Sequence, residues 1–577
     1  MHFYDRERKP KIFTYLQRAD KSDEELIDDD TVIYDLSLKS QQVNEGKINC
    51  VALFKNDQPI RTDKLDTATI KDTTAKVSKI SITEIDAHYS EISFVINADN
   101  QDALQQIPLT LFADDARINT DNLENRLCEI TEAYFKTRQL PKLLVTLINQ
   151  ANPRFKGEGS PLPITRHQYP ENDLYLSAII KAVKAMDETL LCIQGPPGAG
   201  KTYTAKNIIK ALVAQGKRIG VMSNSHAAIM NVLESLVKEL PETAITKIGG
   251  YGAQKEFKAL FAWDDYTHFE YRPSMTFTKA KPYNHYQIVG ATVYGFANEL
   301  SYNEPLDYLF VDEASQVALA NLMAVSGAAN NIILMGDQMQ LEQPIQGSHP
   351  GQSGASALEF MLMDHAVIPE DKGIFLERTY RMHPAVCAPL SEIVYEGKLQ
   401  ADADNSKQAI NIPKPHLITQ ATGVLSVSVA HEDNIQSSEE EVWVVQQLID
   451  ELKTGTFTNK SGQQTPITDA DILVIAPYNM QVNLLKEKLK GQLKVGTIDK
   501  FQGQEAPVVI ISMAISDIAE SPRGLDFVLD INRLNVAVSR AQALAIIVAN
   551  DGLENCSVNN LEQMAKVGLF CRLKLNK

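Results

Sequence analysis

Residues Gly195-Pro196-Pro197-Gly198-Ala199-Gly200-Lys201-Thr202 constrain this chain more than any other stretch, because of what flanks them. The apolar run Leu190–Ile193 comes before and reads as a strand. Ala205, Ile208, Ile209, Leu212 and Val213 come after at helical spacing and read as one buried stripe. Strand, glycine-rich loop and helix in that order form a P-loop. The glycines let backbone N–H groups close around a phosphate, and the helix N-terminus adds about half a positive charge at the same point. Lys201 is placed to neutralise β and γ phosphates, and the Thr202 hydroxyl to hold Mg²⁺. Tyr203 completes the expected nucleotide-binding set.

Around this loop, apolar strand-like runs alternate with helical periodicity: Ile219–Met222, Leu309–Val311, Ile332–Met335, then Ile472–Ala476, Val508–Ser512 and Leu544–Val548. Such alternation predicts α/β architecture, with parallel sheets covered on both faces and two sets of strands in tandem. Upstream of about residue 165 the runs are short and β-rich (Val32–Tyr34, Val77–Ile82, Ile92–Ile96), which suits a small barrel or sheet. Two helices are expected after them, over Leu123–Ala133 and Leu140–Leu147, and a linker over Asn152–Pro163. The expected divisions are 1–165, 166–365 and 366–577, with an aromatic-rich insertion at about 240–287. The polar stretch Gln400–Gln420 reads as a surface excursion.

A chain of 577 residues is too long for one core. Hydrophobic residues at 44% and charged residues at 22% exclude collagen-like, coiled-coil and wholly disordered classes. The net charge of −17 means that any nucleic acid must be held in a local groove, since the overall field repels phosphate. The start MHFYDRERKPK has no apolar signal core, and no run approaches the roughly eighteen apolar residues of a membrane span. A cytoplasmic chain without a membrane partner is therefore expected. The six cysteines lack C-x-x-C spacing, so reduced thiols and no zinc site are expected.

Asp312-Glu313 follow the apolar run Leu309–Val311, so the two carboxylates leave the C-terminal end of a strand, where open α/β sheets place ligands. Asp312 would bind magnesium through water. Glu313 would orient and deprotonate the attacking water. Further along come Gly336-Asp337-Gln338-Met339-Gln340-Leu341 and Arg378-Thr379-Tyr380-Arg381-Met382-His383-Pro384. Gly496-Thr497-Ile498-Asp499-Lys500-Phe501-Gln502-Gly503-Gln504-Glu505 and Asn535-Val536-Ala537-Val538-Ser539-Arg540-Ala541 complete the series.

With the P-loop, this ordered set resembles the superfamily 1 helicases, and within them the group typified by the nonsense-mediated-decay helicase and its bacterial AAA-domain relatives. The resemblance implies two tandem RecA-like domains with ATP and Mg²⁺ in the cleft between them. It makes Gln340 a sensor of the γ-phosphate or attacking water, and Arg381 and Arg540 the cations that reach across the cleft. Tyr380 would stack on adenine, and Gly503 and Glu505 would border the nucleotide, with Glu505 on the ribose. Fingers on the opposite domain make closure a condition of hydrolysis, which is what a motor requires. One departure stands out. The family reads adenine with a glutamine upstream of the P-loop, whereas this chain has Glu171-Asn172-Asp173-Leu174-Tyr175 there and Gln168 as its nearest upstream glutamine.

Ser223-Asn224-Ser225 lead a helix with the apolar stripe Ile229, Val232, Leu233, Leu236, Val237, Leu240. Small polar residues at that point make a phosphate perch and serve equally as a helix cap. By the resemblance, this segment touches single-stranded DNA or RNA, together with Thr292, Pro477, Tyr478, Asn479 and Thr497. Residues 251–286 interleave aromatics (Tyr251, Phe257, Phe261, Trp263, Tyr266, Phe269, Tyr271, Phe277, Tyr283, Tyr286) with Lys255, Lys258, Arg272, Lys279 and Lys281. That composition suits either unpaired bases or the core of an insertion.

The function expected is an ATP-dependent helicase or translocase on single strands, travelling 5′→3′. Its rivals are an ATPase that remodels nucleoprotein without unwinding and an ATP-switched interaction protein. The N-terminal region is the candidate for meeting protein partners.

Overall fold

The computed structural model describes residues 2–20, 31–55, 67–85, 89–105, 108–113, 119–250, 254, 258, 263–363, 365–489, 491–501, 503–518, 521 and 523–574. Tyr251, Lys255, Phe257, Phe261 and Gln502 lie outside these. The chain divides into two units: residues 1–124 with 345–354, and residues 125–344 with 355–577.

The first unit is built on a closed barrel of β1 (Val32–Asn44), β2 (Lys47–Lys55), β3 (Thr67–Ile70), β4 (Lys76–Glu84), β5 (Tyr89–Asn97) and β6 (Leu109–Ala113), in the order β1-β2-β5-β4-β3-β6. Period-two patterning builds it: β5 alternates buried Ile92, Phe94 and Ile96 with more open neighbours, and β2 does the same with Ile48, Cys50, Ala52 and Phe54. The inward residues fill the barrel as one core with Leu36, Val77 and Leu111. Closure removes the sheet edges. A helix at Phe3–Asp20 belongs to this unit, as does the distant loop Ile345–Gly354. The Glu7 carboxylate accepts the backbone N–H groups of Gln346 (3.0 Å) and Gly347 (2.9 Å) and lies 2.6 Å from His349 Nε2. Gly347 must be glycine, because a Cβ there would stand 2.4 Å from the Arg6 carbonyl oxygen.

The second unit holds two parallel sheets. The larger consists of β7 (Leu190–Gln194), β8 (Ile219–Met222), β9 (Ile245–Ile248), β10 (Phe269–Arg272), β11 (Ile288–Ala291), β12 (Leu306–Val311), β13 (Ala329–Gly336) and β14 (Gly373–Phe375). Their order is β10-β9-β11-β8-β12-β13-β7-β14. All five residues of β7 are buried, as continuous apolar runs must be when helices cover both faces. The helix Lys201–Val213 packs Ile208, Ile209 and Leu212 against the sheet, at about 1.5–3 kcal/mol for each side chain withdrawn from water. The aromatic-rich insertion extends this sheet: β9 and β10 form one edge of it. Trp263, Phe269, Tyr283 and Tyr286 are buried there as core.

The smaller sheet takes Gly423–Ser428, Ala541–Ala549, Ala506–Ser512, Ile472–Ile475 and Lys494–Gly496, in that spatial order and all parallel. Helices at Asp121–Thr137 and Lys142–Ile148 match the two expected. Gln400–Gln420 is more than a surface excursion. Gln400–Ala401 pairs with Arg378–Thr379, and Asn405, 1% exposed, donates from Nδ2 to the carbonyls of Thr379 and Met382 at 3.0 Å each. All six cysteines are free. Among the described residues no helix is long and apolar enough to cross a membrane.

Candidate functional site

The cradle begins where β7 ends. Gly195 N–H donates to the Gly336 carbonyl at 2.9 Å, which ties the loop to the neighbouring strand β13. Gly198 and Gly200 take φ of +71° and +81°, the left-handed region that glycine enters without penalty. Gly198 has a second reason to lack a side chain, since a Cβ there would lie 2.5 Å from Arg381 Cβ and 2.7 Å from Thr379 Oγ1. Pro196, Pro197 and Ala199 are buried, whereas Thr202 and Tyr203 are exposed on the first turn of the helix. Lys201 Nζ donates to the Gly195 carbonyl at 2.7 Å, so its ammonium already lies over the loop that a phosphate would fill.

Asp312 stands at the end of β12, with its N–H bonded to the Met222 carbonyl at 2.8 Å. Burial and the adjacent Glu313 push the Asp312 carboxyl up to about 7, while Lys201 draws it down. A site that raises a carboxyl in this way is short of positive charge. Glu313 itself sits at φ +52° and opens the turn Ala314–Gln316. A non-glycine residue held in the left-handed region stores strain of order 1–3 kcal/mol, which surrounding structure must hold in place.

Gln340 is 6% exposed, and its Nε2 donates to Asp337 Oδ2 at 3.1 Å. Asp337 is a hub that sequence reading did not single out. It also accepts from Gln194 Nε2 (3.2 Å) and from the Tyr395 hydroxyl (2.7 Å). The Tyr395 oxygen in turn accepts from Asn535 Nδ2 at 2.7 Å, and the same Nδ2 donates to the Met339 carbonyl at 2.7 Å. Burial and the Asp337 charge push the Tyr395 hydroxyl well above its ordinary value, which keeps it protonated and donating. Asp337 and Met339 follow β13 of the larger sheet. Asn535 lies on the helix Ile531–Val538, one strand connection before Ala541–Ala549 of the smaller. Tyr395 ends the helix Pro384–Val394, where no periodicity marks it.

Arg381 is seated on the cradle by the two residues before it: the Tyr380 N–H donates to the Gly198 carbonyl at 2.9 Å, and Thr379 Oγ1 donates to the Pro197 carbonyl at 2.9 Å. Its side chain reaches toward the smaller sheet, with Nε on Glu505 Oε2 at 2.6 Å and Nη1 on the Ser539 carbonyl at 3.1 Å. Arg540 is 2% exposed and donates to the carbonyls of Val536 and Gln504, both at 3.2 Å. Burial and the like charge of Arg381 push its guanidinium down to about 9, against the pull of Glu313, Tyr395 and Glu505. Two arginines, Glu313 and Glu505 thus share one patch beside the cradle. Gly503, at φ +80°, is exposed just before it.

On the other side of Tyr380, its hydroxyl donates to Asn172 Oδ1 at 2.8 Å and accepts from Arg166 Nη2 at 3.1 Å. The Tyr380 ring lies 3.9 Å from where a Gly200 Cβ would stand, so it bridges the cradle and this second cleft.

The candidate strand contacts all follow C-terminal ends of parallel strands. Asn224, Ser225 and Asn479 are exposed; Thr292, Pro477 and Thr497 are half-buried; Ser223 (1% exposed) and Tyr478 (6%) are buried. Ser225 caps the helix His226–Glu239 by accepting from Ala228 N–H. Asn224 Nδ2 donates to the Gln316 carbonyl, which couples this perch to the turn after Glu313. The Tyr478 hydroxyl is bonded to Ser521 at 2.6 Å and its ring packs 5.5 Å from Phe527, so it supports the segment from behind.

Two family models, each described as an AAA domain, match residues 179–345 and 355–552. The DNA replication ATP-dependent helicase/nuclease dna2 of Schizosaccharomyces pombe is 25% identical over 417 residues, 68% of this chain and 28% of that protein. The chain belongs to the superfamily 1 helicases. The Homo sapiens DNA replication ATP-dependent helicase/nuclease DNA2 is 26% identical to this superfamily 1 chain over 406 residues, 66% of it and 37% of the human protein. The first curated relatives are matched over only 28% to 43% of their own length. Among solved structures, the Pif1 helicase from Candida albicans is 14% identical with a TM-score of 0.27, over 70% of this chain and 98% of that one.

Proposed function

We propose that this chain is an ATP-driven, Mg²⁺-dependent helicase or translocase that travels 5′→3′ on single-stranded nucleic acid. The observation that carries the reading is the convergence of Arg381 and Arg540 with Glu313 beside the P-loop. A buried guanidinium whose nearest charged neighbours include another guanidinium is a site prepared for a polyanion.

In this reading, Lys201 holds the β and γ phosphates, and Glu313 takes the proton of the attacking water. Gln340, oriented by Asp337, positions that water. The donor set suits Mg²⁺, which asks for one or two protein oxygens beside phosphate and water: the Thr202 hydroxyl and the Asp312 carboxylate. When bound, the ion would neutralise charge developing between β and γ phosphates. Arg381 can exchange the Glu505 carboxylate for phosphate, which frees Glu505 for the ribose hydroxyls. Tyr380 stacks on the base, with Tyr203 at the rim and Gly503 beside Glu505.

The bonds of Asn535 to Met339 and of Tyr395 to Asp337 span the two sheets, so opening the cleft to release product must break them. Hydrolysis and lobe motion then become one event. The lobes would alternate their grip through Asn224, Ser225, Thr292, Asn479 and Thr497, with Ser223, Pro477 and Tyr478 supporting them; the division expected at 365/366 moves later, because β14 (Gly373–Phe375) pairs with β7 and so belongs to the lobe of the larger sheet. DNA, named in the relatives' descriptions, is the first strand to test.

The test has two arms. ATP turnover should rise with single-stranded oligonucleotide and disappear in Glu313→Gln. A duplex with a 5′ single-stranded tail should be separated with ATP, and one with a 3′ tail should not. A flat, strand-independent rate would defeat the reading.

A further inference from the structure

The open cleft beyond Tyr380 is lined in part by Arg166, Asn172, Tyr175, Tyr203, Glu377 and Arg378. Tyr380 connects it to the cradle, so it is the space a base would enter once the phosphates are held. Any base selectivity in this cleft presupposes, and so rests on, the nucleotide-driven function proposed for the chain.

An amide side chain selects adenine by accepting from N6–H while donating to N7, whereas an arginine matches the O6 and N7 acceptors of guanine. Among the described residues the cleft offers no free amide of that kind. Asn172 Oδ1 already accepts from the Tyr380 hydroxyl (2.8 Å) and from Arg166 Nη1 (2.8 Å), leaving its amide nitrogen as a donor only. Gln168 is turned back on its own loop, accepting from Thr165 N–H at 3.4 Å. Tyr175 stands in the segment where the family's glutamine is missing. It is buried and donates its hydroxyl to the Phe375 carbonyl at 2.8 Å.

The Arg166 guanidinium lies over the Tyr175 ring at 4.1 Å, and its Nε is buried without a hydrogen-bond partner. A buried donor left unpaired costs about 1–3 kcal/mol, which a ligand acceptor would recover. An acceptor in the cleft is the Glu377 carboxylate, which among the described residues takes the Arg166 backbone N–H, at 3.2 and 3.3 Å.

We propose that this cleft accepts guanine as well as adenine, so that GTP is a substrate alongside ATP. Arg166 donates to guanine O6 and Glu377 accepts from N1–H and N2–H. With adenine, Glu377 accepts from N6–H and Arg166 donates to a ring nitrogen. Because adenine carries a donor where guanine carries O6, the adenine ring must sit one position over, with N6–H at Glu377 and N7 at Arg166, so one donor–acceptor pair serves the two purines in two poses.

The experiment compares ADP and GDP binding to the full chain by calorimetry, with ATP and GTP turnover on a single-stranded oligonucleotide as a second readout. The two diphosphates should bind within about tenfold of each other, and Arg166→Gln, which restores an amide, should shift the ratio toward ADP by about tenfold or more. The wild-type ratio stands as a test even if the variant fails to fold. A chain that binds ADP but GDP about a hundredfold more weakly overturns this proposal alone. A folded Arg166→Gln with an unchanged ratio does the same. A chain that binds neither diphosphate overturns the nucleotide-driven reading as well.

Discussion

Residues 195–202 build the phosphate cradle from one unbroken stretch, whereas the cluster around Asp337 gathers Gln194, Gln340, Tyr395 and Asn535 from across the second unit. In the cradle, the anion would be held by backbone N–H groups whose directions are set within a few residues. In the cluster, each polar group is held by a partner that only folding brings near. The contrast separates two tasks. Holding phosphate can be written locally, but making hydrolysis depend on the meeting of two lobes requires groups that are far apart in the chain.

That contrast can be broken in order of expected effect. Replacing Arg540 with alanine removes a cation contributed from beside the smaller sheet, and ATP turnover should fall by about 10³-fold or more. If the nucleotide-binding constant changed little, the loss would belong to lobe coupling. Lys201→Ala strikes the local cradle: turnover should fall by about 10²–10³-fold, with weaker nucleotide binding and an unchanged melting temperature. A large drop in melting temperature would mean that the cradle is less self-contained than described.

Tyr395→Phe removes a single oxygen and leaves Asp337 short of a buried donor. A fall of about tenfold in kcat, with KM for ATP within about twofold, would place Tyr395 in positioning rather than binding. Equal changes in both would put it in neither role. The smallest effect is expected from Asn405→Ala, which unpairs the Met382 carbonyl and leaves the Thr379 carbonyl with the Asp402 N–H alone, on either side of Arg381. Denaturant unfolding should show a loss of about 1–3 kcal/mol.

Particular elements show where reading along the chain succeeds. The strands β7, β8, β12 and β13 and the helix Lys201–Val213 fall on the apolar runs that predict them, because burial on both faces writes itself as continuous hydrophobicity. The barrel was legible only as short alternating runs, since closure depends on β1 meeting β6 across more than seventy intervening residues. The loop Ile345–Gly354 bears no mark of belonging with the N-terminal unit. Its anchor is a carboxylate more than 300 residues upstream, Glu7, on a helix whose sequence resembles any charged surface helix. Tyr395 and Asn405 were invisible for a related reason: each is one polar residue at the edge of an apolar or polar run, distinguished only by its buried partners.

That Lys201 would open a helix after a strand and a glycine-rich loop could be read from the order of residues alone, because a strand, three glycines and a helix N-terminus act over near neighbours and need no distant help. It took the folded chain to show that Arg381 and Arg540 share a patch with Glu313 and Glu505, and that Arg166 and Glu377 line one cleft beside Tyr380. Charge and hydrogen-bonding character in a cleft depend on which groups become neighbours after burial, and packing sets that.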